Sequence, residues 1–208
     1  MRSLQAVAAS ALASLVVAGC ASTGGAHLTA AAPAARPTSK ATIAPQSAQA
    51  MRCRARVLVL RPGAYVPPMT GEHAVLYALA NHGPVTCTLD GYPQVVLYSA
   101  RGAVLPFRYT QGGGAYATHN KPATVVLAPG ASAYVLVAKY RCDLGTVSTA
   151  ATVQLTLPAA GSATFVGREA VGGSGSLDLS YCRGGPDDPG QTVAVSPIEP
   201  NQQATRAF

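Results

Sequence analysis

Beyond residue 51 the apolar positions recur with period two, and helical periodicity appears nowhere there. In residues 52–60, Cys53, Ala55, Val57 and Val59 alternate with Arg52, Arg54 and Arg56. This predicts a strand with a cysteine-bearing core face and an outer face that begins with three arginines. Segments 74–80 and 95–98 are apolar at nearly every position, as expected of strands buried by a facing sheet. Shorter extended segments are predicted at 85–89, 103–109, 124–127, 133–139, 152–157, 163–166, 177–181 and 193–195. Turn chemistry separates them. Asn81-His82-Gly83-Pro84 and Asp90-Gly91-Tyr92-Pro93 each join a permissive glycine to a proline without an N–H, and Ala128-Pro129-Gly130 suits a hairpin. Short strands at turn-separated intervals predict an all-β fold, an antiparallel immunoglobulin-like β-sandwich. The chain has no tryptophan, so the antibody-type Cys-Trp-Cys core is absent.

The first fifty residues follow a different pattern. Arg2 precedes an Ala/Leu/Val run over 3–16, and Val17-Ala18-Gly19 places small residues directly before Cys20. That order predicts a lipoprotein signal peptide over 1–19, with Cys20 as the lipid-bearing first residue of the mature chain. Ser10 and Ser14 interrupt the apolar run, which is shorter than the ~20 residues a spanning helix needs. Residues 21–50 are dominated by Ala, Ser, Thr, Pro and Gly with no acid, so 20–50 is predicted to be a disordered tether of r.m.s. span ~30 Å. The sandwich is expected over 51–198 and a C-terminal tail over 199–208. This organisation implies anchorage on the extracytoplasmic face of a cell membrane.

Composition permits a core, since 49% of residues are hydrophobic and 11% charged. Apart from Cys20 there are four cysteines, Cys53, Cys87, Cys142 and Cys182, an even number that suggests two disulfides in an exported domain. Three connectivities are open from the residues alone. The pattern N-x-G-x-x-T-C-x-L-x-G-Y-P at 81–93 is followed by Leu127-Ala128-Pro129-Gly130-Ala131-Ser132-Ala133, by Cys142 and by Tyr181-Cys182. Together these motifs resemble actinobacterial secreted lipoproteins carrying the domain of unknown function numbered 4232. The resemblance covers residues 52–198. It implies the pairs Cys53–Cys87 and Cys142–Cys182, and it implies export without naming an activity.

Candidate chemistry is sparse. No G-x-S-x-G elbow occurs, since Gly172-Gly173-Ser174-Gly175-Ser176 lacks the closing glycine. His73, His82 and His119 have no mutual metal-ligand spacing, so neither a metal nor a cofactor is expected. Asp187-Asp188 reads as a solvated turn. Gly112-Gly113-Gly114 lacks the G-K-[ST] of a phosphate loop and is expected to loosen a hairpin loop over 110–122. On that loop Tyr116, His119, Asn120 and Lys121 form a candidate binding surface. The chain carries 15 basic and 8 acidic residues, a net charge of +7. Arg52, Arg54 and Arg56 are candidate contacts for anionic headgroups or an acidic envelope polymer, unless they only solvate an edge strand. The expected function is that of a lipid-anchored envelope binding or interaction module, not an enzyme. The alternatives are an accessory subunit that scaffolds another envelope protein and a hydrolase with an unrecognised site. Export argues against nucleic acid as a partner.

Overall fold

The computed structural model describes residues 51–142, 147–158, 164–171, 179–184 and 187–208. The expected signal peptide, Cys20, the tether and the 172–176 run lie outside them. Twelve strands are present among the described residues: β1 Leu58–Pro62, β2 Glu72–Asn81, β3 Cys87–Leu89, β4 Gln94–Ser99, β5 Arg108–Gln111, β6 Val125–Leu127, β7 Ser132–Tyr140, β8 Val147–Ser148, β9 Ala150–Pro158, β10 Thr164–Ala170, β11 Tyr181–Cys182 and β12 Thr192–Val195. Two 3₁₀ turns are present among the described residues, Ala55–Val57 before β1 and Pro189–Gln191 before β12.

A five-stranded sheet in the order β1-β2-β7-β12-β5 is joined by a three-stranded sheet, β10-β9-β4. Two ribbons, β3-β6 and β11-β8, complete the strand pairing. The fold is an antiparallel, immunoglobulin-like β-sandwich in which, among the described strands, β12 and β5 pair in parallel.

Alternation on β2 and β7 supplies two cores. Val75, Tyr77, Leu79, Val135 and Val137 enter a cluster shared with Val95, Leu97, Val153, Leu155 and Leu157 of the smaller sheet. The other parity, Ala74, Leu76, Leu136 and Ala138, is covered by Val66, Tyr116 and Ala117. Segment 74–80 therefore lacks polar positions because both faces of its sheet are buried, not because of the facing sheet alone.

Three structural expectations change. Residues 52–60 are not one strand, because the turn at Ala55–Val57 breaks the period of two and β1 begins only at Leu58. Past the turn the parity inverts, so that Leu58 and Leu60 are buried while Val59 is 37% exposed. Arg52, Arg54 and Arg56 thus do not form a ladder on one strand face. In 103–109, Val104 makes an isolated bridge with Tyr98, and regular pairing resumes only at Arg108. Pro106 has no N–H to continue a ladder, yet Leu105 and Phe107 are buried. Lastly, the expected tail packs on the domain. Thr118 N–H donates to the Thr205 carbonyl, Ala207 N–H to that of Tyr116, and the Phe208 ring meets Tyr116 edge-on.

Both disulfides have the pairing that the resemblance implies, Cys53–Cys87 and Cys142–Cys182. The first ties the segment preceding β1 to β3. The second ties the segment after β7 to β11. Gly190 packs against the second bridge, and a Cβ there would meet the sulfur of Cys182 and lie 2.7 Å from the Arg141 carbonyl oxygen. A further fixed point is Asn81, which is fully buried. Its amide donates to the carbonyls of Val85 and Leu127, and its Oδ1 accepts from Gly83 N–H. This side chain pins the 81–84 turn to β6.

Candidate functional site

A cleft of about 630 Å³ opens between the β4–β5 connection and the β8–β11 ribbon. One wall is a tight turn. Ser99 N–H donates to the Ala103 carbonyl and Gly102 N–H to the Ser99 carbonyl, the Ser99 hydroxyl accepts from Ala103 N–H, and Gly102 takes a φ of +77° that an L side chain resists. This turn carries Arg101 at its tip, exposed and making no hydrogen bond or ion pair among the described residues.

The opposite wall is the two-residue ribbon in which Tyr181 faces Ser148 and Cys182 faces Val147. Arg183 follows directly, and its Nε donates to Ser148 Oγ at 3.0 Å. The two terminal nitrogens of the guanidinium make no hydrogen bond among the described residues. Tyr181 is held edge-on against Phe107, with ring centroids 5.1 Å apart. Leu105, nearly buried, Val104 and Pro106 add apolar surface, and Ser99, Ser148 and Thr149 supply hydroxyls. Among the described residues, no acidic side chain lines the cleft. Two guanidiniums lining one recess make it a place where an oxyanion gains charge-assisted hydrogen bonds.

Most residues singled out from the sequence lie elsewhere. The 110–122 loop is tied down by the C-terminal segment, and Tyr116 is 2% exposed in the outer core, with its hydroxyl donating to the Pro67 carbonyl. Burial raises the Tyr116 phenol above its usual range, opposed by the charge of Arg206. Asn120 is engaged with the Glu199 carboxylate at 3.2 Å, while His119 and Lys121 are exposed on the same loop. A smaller recess of about 300 Å³ lies beside Tyr116, with Glu72, Thr110, Gly114 and Lys139 in its lining. Burial raises the Glu72 carboxyl above its ordinary value of 4.5, partly offset by the positive charges of Lys139 and His73.

Of the three N-terminal arginines, Arg52 is paired with Asp90, its Nη2 reaching both carboxylate oxygens at 2.6 Å. Arg54 and Arg56 remain exposed on either side of Ala55. Nearby Arg61 donates to His82 Nε2 at 2.8 Å. Among the described residues, no group of three His, Cys, Asp or Glu side chains could hold a metal ion. No helix among them is long and apolar enough to cross a membrane.

The sequence reading missed Arg101 and Arg183 because 81 residues separate them. Arg183 stands next to a cysteine and Arg101 within a turn, and neither position signals a site alone. The Cys142–Cys182 pairing was the one available hint, since it brings the chain around 183 close to the end of β7.

Fold and cleft define a disulfide-closed, all-β domain with a recessed basic surface. Residues 53–199 match the family model described as Domain of unknown function (DUF4232), and the chain belongs to that family. No curated protein and no solved structure matches it.

Proposed function

We propose that this chain is a lipid-anchored binding module of the actinobacterial cell envelope, held on the extracytoplasmic face of the membrane through Cys20, with its ligand taken in the Arg101–Arg183 cleft. Export is supported by the signal pattern ahead of Cys20 and by two disulfides, which persist in oxidising compartments. The observation that carries the binding assignment is the lining of the cleft. Among the described residues it combines two guanidiniums without an acid, three hydroxyls, a fixed tyrosine ring and an apolar floor, in a volume typical of small-molecule sites. The reading includes no catalytic role and no cofactor.

The test is native mass spectrometry of the protein purified from membranes in mild detergent. The expected spectrum shows a mature chain beginning at a lipid-modified Cys20, with a bound small molecule that is absent from an Ala100→Trp variant whose indole fills the cleft. Cleavage elsewhere with Cys20 unmodified would refute the anchor. Undiminished occupancy in Ala100→Trp would move the ligand out of the cleft.

A further inference from the structure

We infer that the ligand of this cleft is an acidic sugar, a sugar carrying a phosphate or a carboxylate. The inference rests on the cleft being the binding site and adds the chemical class of what it holds. The geometry imposes two demands on a ligand. The first is charge. Among the described residues, Arg101 makes no hydrogen bond or ion pair, Arg183 bonds only through Nε, and no acid lines the recess. Both guanidiniums are exposed in the lining of one cleft, where like charges repel each other, and an oxyanion that reaches both offsets that repulsion while accepting several N–H donors. Guanidinium groups suit phosphate and carboxylate alike, because both present coplanar pairs of oxygens to a donor fork.

The second demand comes from the rest of the lining. Ser99, Ser148 and Thr149 offer hydroxyls that donate and accept, whereas Tyr181, Val104, Leu105 and Pro106 offer a ring and apolar surface. A fatty chain would leave the hydroxyls unmatched. A bare inorganic anion would leave most of about 630 Å³ empty. A sugar ring has both surfaces, with hydroxyls around its rim and C–H groups on its faces. The Tyr181 ring is kept in place by its edge contact with Phe107, and the turn opposite is locked by the Ser99–Ala103 bonds. The two walls are therefore set before a ligand arrives, which lowers the ordering cost of binding.

The experiment is calorimetric titration of the full-length, membrane-purified protein in detergent with glucose 6-phosphate, glucuronate and glucose, three probes of one ring with different head groups. The expected result is binding of at least one acidic probe ten-fold or more tighter than glucose, weakening as salt is raised. Phosphate and carboxylate sources are separated by which acidic probe binds. Arg101→Ala, at an exposed turn tip, should lose ten-fold or more in affinity for the acidic probe while its melting temperature matches wild type. Arg183→Ala should do the same, and Ala100→Trp should abolish binding. Equal affinity for glucose and both acidic probes would overturn the oxyanion requirement while leaving the cleft as a site. Failure of all three probes to bind would overturn the acidic-sugar assignment. Acidic-probe binding unaffected by Ala100→Trp would instead remove the cleft itself.

Discussion

Arg183 Nε donates to Ser148 Oγ at 3.0 Å across a ribbon only two residues long. Adjacent Cys182 is bonded to Cys142, so the guanidinium is placed by a covalent tie on one side and a hydrogen bond on the other. Ser148→Ala keeps the tie and removes the bond. Because the pair is exposed, the expected change in stability is within ~0.5 kcal/mol by urea denaturation. Affinity for an oxyanion probe should nevertheless fall, because Arg183 then samples rotamers that point away from the cleft. Unchanged affinity would show that Ser148 does not position Arg183.

Asn81 is the polar side chain on which the turn before β3 depends. Asn81→Ala leaves the Val85 and Leu127 carbonyls and the Gly83 N–H without their partner. The expected loss is about 3 kcal/mol in an equilibrium urea melt, since a buried group stripped of its partner keeps its full desolvation cost. Asn81→Asp should be no milder, because it sets an anion against two carbonyl oxygens. A loss below ~1 kcal/mol for either variant would mean that the turn holds itself.

Tyr77 presents the opposite case. It is fully buried on β2 and its hydroxyl finds no hydrogen-bond partner among the described residues. Burial, with the negative charge of Glu169 second, pushes the phenol far above its ordinary value. Tyr77→Phe removes an unsatisfied polar atom and keeps the ring, so stability should rise by about 1 kcal/mol. The same urea melt decides it, and a clear loss would reveal a partner for the hydroxyl.

Glu72 gives the domain a pH dependence of definite sign. Its carboxyl is raised in the folded state, chiefly by burial, above the 4.5 of an exposed glutamate. Between those two values the folded chain binds more protons than the unfolded one, so this group's contribution to stability falls as pH rises above 4.5. Glu72→Gln should flatten that part of the stability–pH curve and leave the protein more stable than wild type at neutral pH. Parallel curves for variant and wild type, measured by thermal melts from pH 4 to pH 7, would contradict this assignment.

The turns and most of the strands were legible in the sequence because they depend on local chemistry. Asn81 to Pro84, Gly91 and Gly130 each stand where only a few residue types fit, and the strands between them keep a period of two. The 3₁₀ turn at Ala55–Val57 was not legible, since a one-residue change of parity leaves the apolar count of 52–60 unaltered. Nor was the second core. Whether an apolar residue on β2 faces a sheet or a returning C-terminal segment is decided by contacts such as Tyr116 with Phe208, 92 residues apart. The cleft was the least legible feature, because it joins a turn at 101 to a ribbon at 183 and requires the second disulfide to hold one wall. The loop carrying Tyr116 and Asn120 drew attention by its composition, yet those two side chains are engaged in holding the C-terminal segment.

Whether ligand enters between the Arg101 turn and the Arg183 ribbon is read from arginine Nε–Hε and backbone amide NMR signals followed while the acidic probe is titrated. The expected shifts saturate together at the side chains of Arg101 and Arg183 and at the amides of Ala103, Ser148 and Tyr181, with the 116–121 loop unmoved. Saturating shifts confined to that loop or to Arg54 and Arg56, with the cleft silent, would contradict it.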